Sequence, residues 1–105
     1  MLEITSENFE NFIMKDRALI EIYTQGCPPC KVMKEKILPQ IESKIAVGVF
    51  NANNNAFLLN RFMEDCGSFT SVPLILYYKN GEFQKRHNGA MPLKDLEDFI
   101  EDEEL

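Results

Sequence analysis

Two thiols, Cys27 and Cys30, stand one helical turn apart in the run Cys27-Pro28-Pro29-Cys30. Sulfurs must approach to about 2.05 Å to bond, and a tight turn with two intervening residues brings the Cβ atoms close enough for the bond to close and reopen. The loop closed in this way is tiny, so the bond constrains the unfolded chain little and serves chemistry more than stability. Residues 18–23, Ala-Leu-Ile-Glu-Ile-Tyr, form the apolar run of a buried strand, and the pattern from Lys31 onward is helical. Cys27 is therefore expected at a helix N-terminus, where unpaired N–H groups and the positive end of the helix dipole favour the reactive thiolate. Pro28 and Pro29 carry no N–H, which leaves Cys30 and Lys31 as the nearest backbone donors to the Cys27 sulfur. Pro28 also precedes a proline and is pushed out of the α region, so the helix is expected to begin at Pro29 and the acidification of Cys27 to be modest.

A CxxC pair is also half of a structural zinc site, but such sites need four ligands, commonly from a second pair. Cys66 and His87, the remaining candidates, are isolated from each other in the chain. A redox dithiol is the stronger reading.

The elements that must position this pair come from a chain of 105 residues, 45% hydrophobic, with only five glycines and five prolines. That composition suits one compact globular domain spanning residues 1–105 around a single core, and its α/β class follows from the order of its elements. The net charge of −6 disfavours nucleic acid or an anionic membrane as a direct partner, since both require a basic footprint. No apolar run approaches the roughly 20 residues that span a bilayer, and Met1 to Ser6 lacks the basic start of a secretory signal. A cytoplasmic location is expected, and three cysteines in a reducing compartment argue for redox use over a stapled scaffold. The acidic stretch 101–104 is expected to be a solvated tail, because acids at a helix C-terminus oppose its dipole.

Leu2 to Ile4 predicts a short strand, with Thr5 or Ser6 capping a helix that buries Phe9, Phe12 and Ile13. After the CxxC, Met33, Ile37 and Ile41 recur at four-residue spacing, with Pro39 kinking or ending the helix. Ile45 to Asn51 predicts a strand, and Asn53 to Asn55 a turn and cap before a helix carrying Leu58, Leu59, Phe62, Met63 and Cys66, closed by Gly67. Asn80-Gly81 between two strand patterns is a hairpin signal, and Pro92 opens a last helix with Leu93, Leu96, Phe99 and Ile100 inward. The order βαβαβαββα implies a mostly parallel sheet with helices on both faces and an antiparallel edge. Cys66 reads as a small buried hydrophobe, and the lone His87 as solvent-facing.

Four stretches together carry a resemblance. The strand leading into the CxxC and its helix, Ser71-Val72-Pro73, Lys79-Asn80-Gly81-Glu82, and Asn88-Gly89-Ala90 make the chain resemble thioredoxin over nearly its full length. The resemblance implies a five-stranded mixed sheet flanked by four helices, with Pro73 cis and facing the CxxC. It makes Cys27 the attacking thiolate and Cys30 the buried resolving thiol, and it aligns Glu21 with a buried acid near the resolving cysteine. A carboxyl inside an apolar strand should have a raised pKa, which suits a general base acting near neutrality. By the same analogy Gly26, Pro28, Pro29, Val72 and Gly89 line the substrate groove, with Val72 offering its backbone to an extended peptide.

The implied protein is a monomeric disulfide reductase that binds no cofactor and cycles through a Cys27–Cys30 disulfide. It acts on disulfide-containing proteins and draws on NADPH indirectly through thioredoxin reductase. Several residues depart from the family pattern. Gly26 stands where tryptophan is usual, no tryptophan occurs anywhere, Glu21 replaces an aspartate, and Val49 occupies the place of a common buried lysine. The approach Ile22-Tyr23-Thr24-Gln25-Gly26-Cys27-Pro28 is locally similar to a glutaredoxin site, so recharging by glutathione is the alternative enzyme reading. From another class, the chain could be a redox-inactive binding module on the same fold.

Overall fold

The apolar run Ala18–Tyr23 becomes the central strand, β2, and every other element is placed by it. In a computed structural model that describes residues 1–101, β1 is Leu2–Glu3, α1 Phe9–Ile13, β3 Ala46–Asn51, α3 Ala56–Cys66, β4 Leu74–Lys79, β5 Glu82–Asn88 and α4 Leu93–Ile100. Helix α2 starts as Pro28–Val32, widens into a π turn over Met33–Ile37, and tightens into a 3-10 turn over Leu38–Ile41. Beyond Glu101, the expected acidic tail lies outside the described residues.

Among the described residues, five strands form one mixed sheet in the order β1-β3-β2-β4-β5. The three on one side are parallel, and β4 and β5 run antiparallel. Side chains alternate across a strand, so β2 feeds two apolar layers at once. Ala18, Ile20 and Ile22 pack with Phe9, Phe12, Phe50, Phe62 and Tyr78 on the α1/α3 face. Leu19 packs with Met33, Leu38, Ile41, Val47, Val49, Ile75, Leu96 and Ile100 on the α2/α4 face. Burial of one large apolar side chain such as Phe62, which meets Phe9 edge-on at 5.1 Å, contributes roughly 2–3 kcal/mol.

Several local readings need correction. α1 begins at Phe9 and not after Thr5 or Ser6, because Asn8 occupies the cap position, its Oδ1 accepting from the Thr5 N–H at 2.9 Å and its Nδ2 donating to the Glu3 carbonyl. α2 begins at Pro28, one residue earlier than expected, since Cys27 takes the extended conformation that a following proline demands. In the same helix the inward residue after Met33 is Leu38, not Ile37, which is half-buried. Pro39 explains this. It has no N–H to give and its ring clashes with the carbonyl four residues back, so the chain takes one wider turn, with the Leu38 N–H donating to the Met33 carbonyl.

Other signals hold. Asn55 caps α3 by accepting from the Leu58 N–H at 3.1 Å, and Gly67 ends that helix. Asn80 and Gly81 both take positive φ, 53° and 90°, as a two-residue hairpin turn with right-handed twist requires. That turn is pinned to the end of α1: the Asn80 and Gly81 N–H groups donate to the carbonyls of Lys15 and Ile13. Cys66, expected as a small buried hydrophobe, is only half-buried against the α1/α3 layer, with the Arg86 guanidinium donating to its carbonyl at 3.0 Å, and burial pushes its thiol pKa up. His87 is half-buried rather than solvent-facing, set edge-on to Phe99 at 6.2 Å.

Candidate active site

β2 ends at Tyr23, and the four residues that follow turn the chain out of the sheet and back over its edge into α2. Gly26 makes the turn at φ 75°, a conformation that a side chain rarely adopts, and the space above its Cα is open. Cys27 then caps α2, with the Cys30 N–H donating to its sulfur at 3.3 Å. The Lys31 N–H does not reach that sulfur and donates to the Cys27 carbonyl at 3.1 Å. Of the two donors expected from the sequence, one serves the sulfur and the other the helix.

Cys27 and Cys30 are joined as a disulfide, with Cα atoms 5.3 Å apart. Their exposures differ. Cys30 is 2% exposed, whereas Cys27 is half-buried and faces outward beside Pro28. From the opposite side, the loop before β4 brings up Val72 and Pro73 across a cis peptide bond. The Val72 carbonyl lies 3.9 Å from Cys27 Sγ, where a reduced thiol can donate to it. The same loop is held from behind, because the Gly89 N–H donates to the Pro73 carbonyl at 2.8 Å.

An open cavity of about 600 Å³ lies against the disulfide, lined by Gly26, Cys27, Pro28 and Cys30 together with Tyr23, Thr24, Gln25, Lys31, Lys34 and Glu35. The structure thus gathers two of the expected groove residues, Gly26 and Pro28, at one wall and places Val72, Pro73 and Gly89 on the other side of Cys27. Pro29 is exposed on α2 and does not line the cavity.

Glu21 is wholly buried, and neither carboxylate oxygen has a hydrogen-bond partner among the described residues. It sits on the α2/α4 face, between Val49 of β3 and Ile75 of β4 in the sheet register. Burial in this apolar layer pushes its pKa up to about 8, and the Lys34 ammonium is the charge that opposes the shift.

Lys34 is the functional candidate that the sequence reading missed. Its ammonium sits 4.8 Å from the Tyr23 ring centroid, on the cavity wall. Two spacings could have found it. Lys34 follows Cys30 by four residues on a helix, and Tyr23 follows Glu21 by two on a strand, so each pair shares a face. Among the described residues, no group of three or more His, Cys, Asp or Glu is placed to hold a metal ion.

A disulfide at a helix N-terminus, with an outer and an inner sulfur at the carboxyl end of a central strand, defines a thiol-disulfide oxidoreductase. Comparison with known proteins agrees. The thioredoxin family model matches residues 1–102. The chain is 26% identical over 107 residues to a thioredoxin of Buchnera aphidicola subsp. Acyrthosiphon pisum (strain APS), covering 97% of this chain and 94% of that one. It is 25% identical over 105 residues to a thioredoxin of Haemophilus influenzae, covering 95% and 94%. Among solved structures, oxidized mitochondrial thioredoxin 3 from Saccharomyces cerevisiae superposes with a TM-score of 0.77 at 21% identity, over 95% of this chain and 92% of that one. A mutant thioredoxin from Halobacterium salinarum gives 0.78 at 20% identity, over 94% and 84%. The chain belongs to the thioredoxin family, and Cys27–Cys30 is its redox-active pair.

Proposed function

We propose that the protein reduces disulfides in other proteins, with Cys27 as nucleophile and Cys30 as resolving thiol. The observation that carries these roles is the difference in exposure across one turn of α2: a half-exposed Cys27 facing Val72 and Pro73, and a buried Cys30 behind it. The Cys27 thiolate attacks one sulfur of the substrate disulfide, and the other substrate sulfur leaves as a thiolate. Cys30, as thiolate, then attacks Cys27 Sγ, closing the Cys27–Cys30 bond and releasing the second substrate thiolate. Two electrons pass from the dithiol to the substrate.

Glu21 is the proton acceptor for Cys30 in this reading. Its pKa of about 8 lies near that of an ordinary thiol, about 8.5, so proton transfer between them is close to thermoneutral. The Val72 backbone serves as an edge for an extended substrate segment, and Gly26, Pro28 and Gly89 border it. The protein needs no bound cofactor, works as a monomer in the cytoplasm, and is recharged by an NADPH-dependent thioredoxin reductase.

Reduction of insulin disulfides tests this with three electron sources in parallel: dithiothreitol, NADPH with thioredoxin reductase, and glutathione with glutathione reductase. Turnover in the first two arms is expected. Turnover in the glutathione arm alone would replace the reductase with glutathione, and failure in all three would leave a binding module.

A further inference from the structure

The partly buried ammonium of Lys34 takes no part in the exchange chemistry above, yet it stands on the wall of the cavity that the dithiol borders, over the sheet face that buries Glu21. α2 carries Cys30 and, four residues on, Lys34. β2 carries Glu21 and, two residues on, Tyr23. α2 packs on the sheet face that holds Glu21 and Tyr23, and Lys34 closes over the Tyr23 ring at 4.8 Å. The ring itself is fixed, because the Tyr23 hydroxyl donates to Glu3 Oε1 at 2.7 Å. An ammonium held against an aromatic face in this way keeps a defined position instead of sweeping through solvent.

The groups that face Glu21 can be counted element by element. β3 and β4 present Val49 and Ile75, and α4 presents Leu96 and Ile100 to the same layer. From its own strand comes Tyr23, with the Glu3 carboxylate of β1 behind it. From α2 comes the charge of Lys34. Among the described residues, Lys34 is the one cation of this set.

We propose that Lys34 is a positioning residue for the resolving step: its ammonium tunes the proton affinity of Glu21 and so sets the pH at which Cys30 becomes a thiolate. The inference rests on the reading of Glu21 as the proton acceptor. The step balances simply. The Cys30 thiol gives its proton to the Glu21 carboxylate, the thiolate forms the Cys27–Cys30 bond, and the substrate thiolate departs. A nearby cation stabilises the carboxylate that must exist before the proton moves.

The test is stopped-flow single-turnover oxidation of the reduced protein by insulin across pH, run on wild type, Lys34→Met, Lys34→Arg, Glu21→Gln and the Lys34→Met/Glu21→Gln double variant. The side-chain carboxyl of Glu21 is followed in parallel by carbon NMR. Lys34→Met should move the Glu21 titration and the rate profile to higher pH and slow the reaction about tenfold near neutrality, since a neighbouring opposite charge is worth about one pH unit or more. Lys34→Arg should restore both, and in the Glu21→Gln background Lys34→Met should change nothing further. If Glu21→Gln itself leaves the rate and its profile unchanged, the acceptor reading falls. If Glu21→Gln slows the reaction but Lys34→Met leaves the carboxyl titration in place, the acceptor stands and the role of Lys34 is overturned. An equal Lys34→Met effect with and without Glu21 also overturns it, because the ammonium would then act on the thiols directly.

Discussion

Replacing Glu21 by Gln should make the oxidised protein more stable, by an amount that grows with pH. In the folded state the carboxyl holds its proton up to about pH 8, against 4.5 for the ordinary group. The native state therefore binds more protons than the unfolded chain between those values. Stability of the wild type is at its highest, with respect to this group, below about pH 4.5, falls as pH rises, and levels off above about pH 8. The difference in proton affinity corresponds to about 5 kcal/mol at about 1.4 kcal/mol per pH unit. That figure is a ceiling, because water entry and relaxation around a buried carboxylate reduce its cost. Gln has nearly the same shape and cannot ionise, so its stability should lack this slope. Urea denaturation of both proteins, oxidised so that Cys27 and Cys30 do not titrate, gives the difference directly. The variant should be close to wild type at about pH 5 and a few kcal/mol more stable at about pH 9. Other groups cancel in the subtraction. A difference independent of pH, or a wild type that gains on the variant as pH rises, would refute the assignment of a buried, unpaired acid.

The redox roles predict that Cys27→Ser abolishes turnover, while Cys30→Ser accumulates a mixed disulfide with insulin that non-reducing electrophoresis and mass spectrometry detect. Gly48→Ala places a Cβ 2.6 Å from Ile4 Cδ1 and 3.1 Å from Phe12 Cζ; overpacking at that site should cost about 1–3 kcal/mol in urea denaturation, with turnover per folded molecule unchanged. Asn55→Ala removes the acceptor for the Leu58 N–H and should lower stability by about 1 kcal/mol. Gly26→Ala forces a side chain into a left-handed turn and should cost about 1–2 kcal/mol, although the open space above it meets no clash.

Much of the fold was legible because local signals were mutually consistent. Apart from Glu21, the run 18–23 is apolar on both faces, as an interior strand is, and its neighbours β3 and β4 read the same way. Asn80-Gly81 admits few turns other than the one observed. Where the reading failed, tertiary packing or a proline had overridden a regular period. The four-residue spacing of Met33, Ile37 and Ile41 presumes an unbroken α-helix, and Pro39 inserts a wider turn that hands the inward position to Leu38. His87 lies on an edge strand, and only the arrival of α4 with Phe99 covers it.

Taken alone, the sequence determined the dithiol, its place between a strand and a helix, and the chemistry that thiols at such a place perform. These follow from neighbours within a few residues, whose spacing is set by covalent geometry and helical period. Only the tertiary structure decided which sulfur faces outward, that Val72 and Pro73 stand opposite Cys27, and that Glu21 is sealed in an apolar layer with no hydrogen-bond partner among the described residues. It also decided that Lys34 closes over Tyr23. Those relations join residues from β2, α2 and the loop before β4. Burial and electric fields act through space, so they exist only once the sheet has brought these segments together.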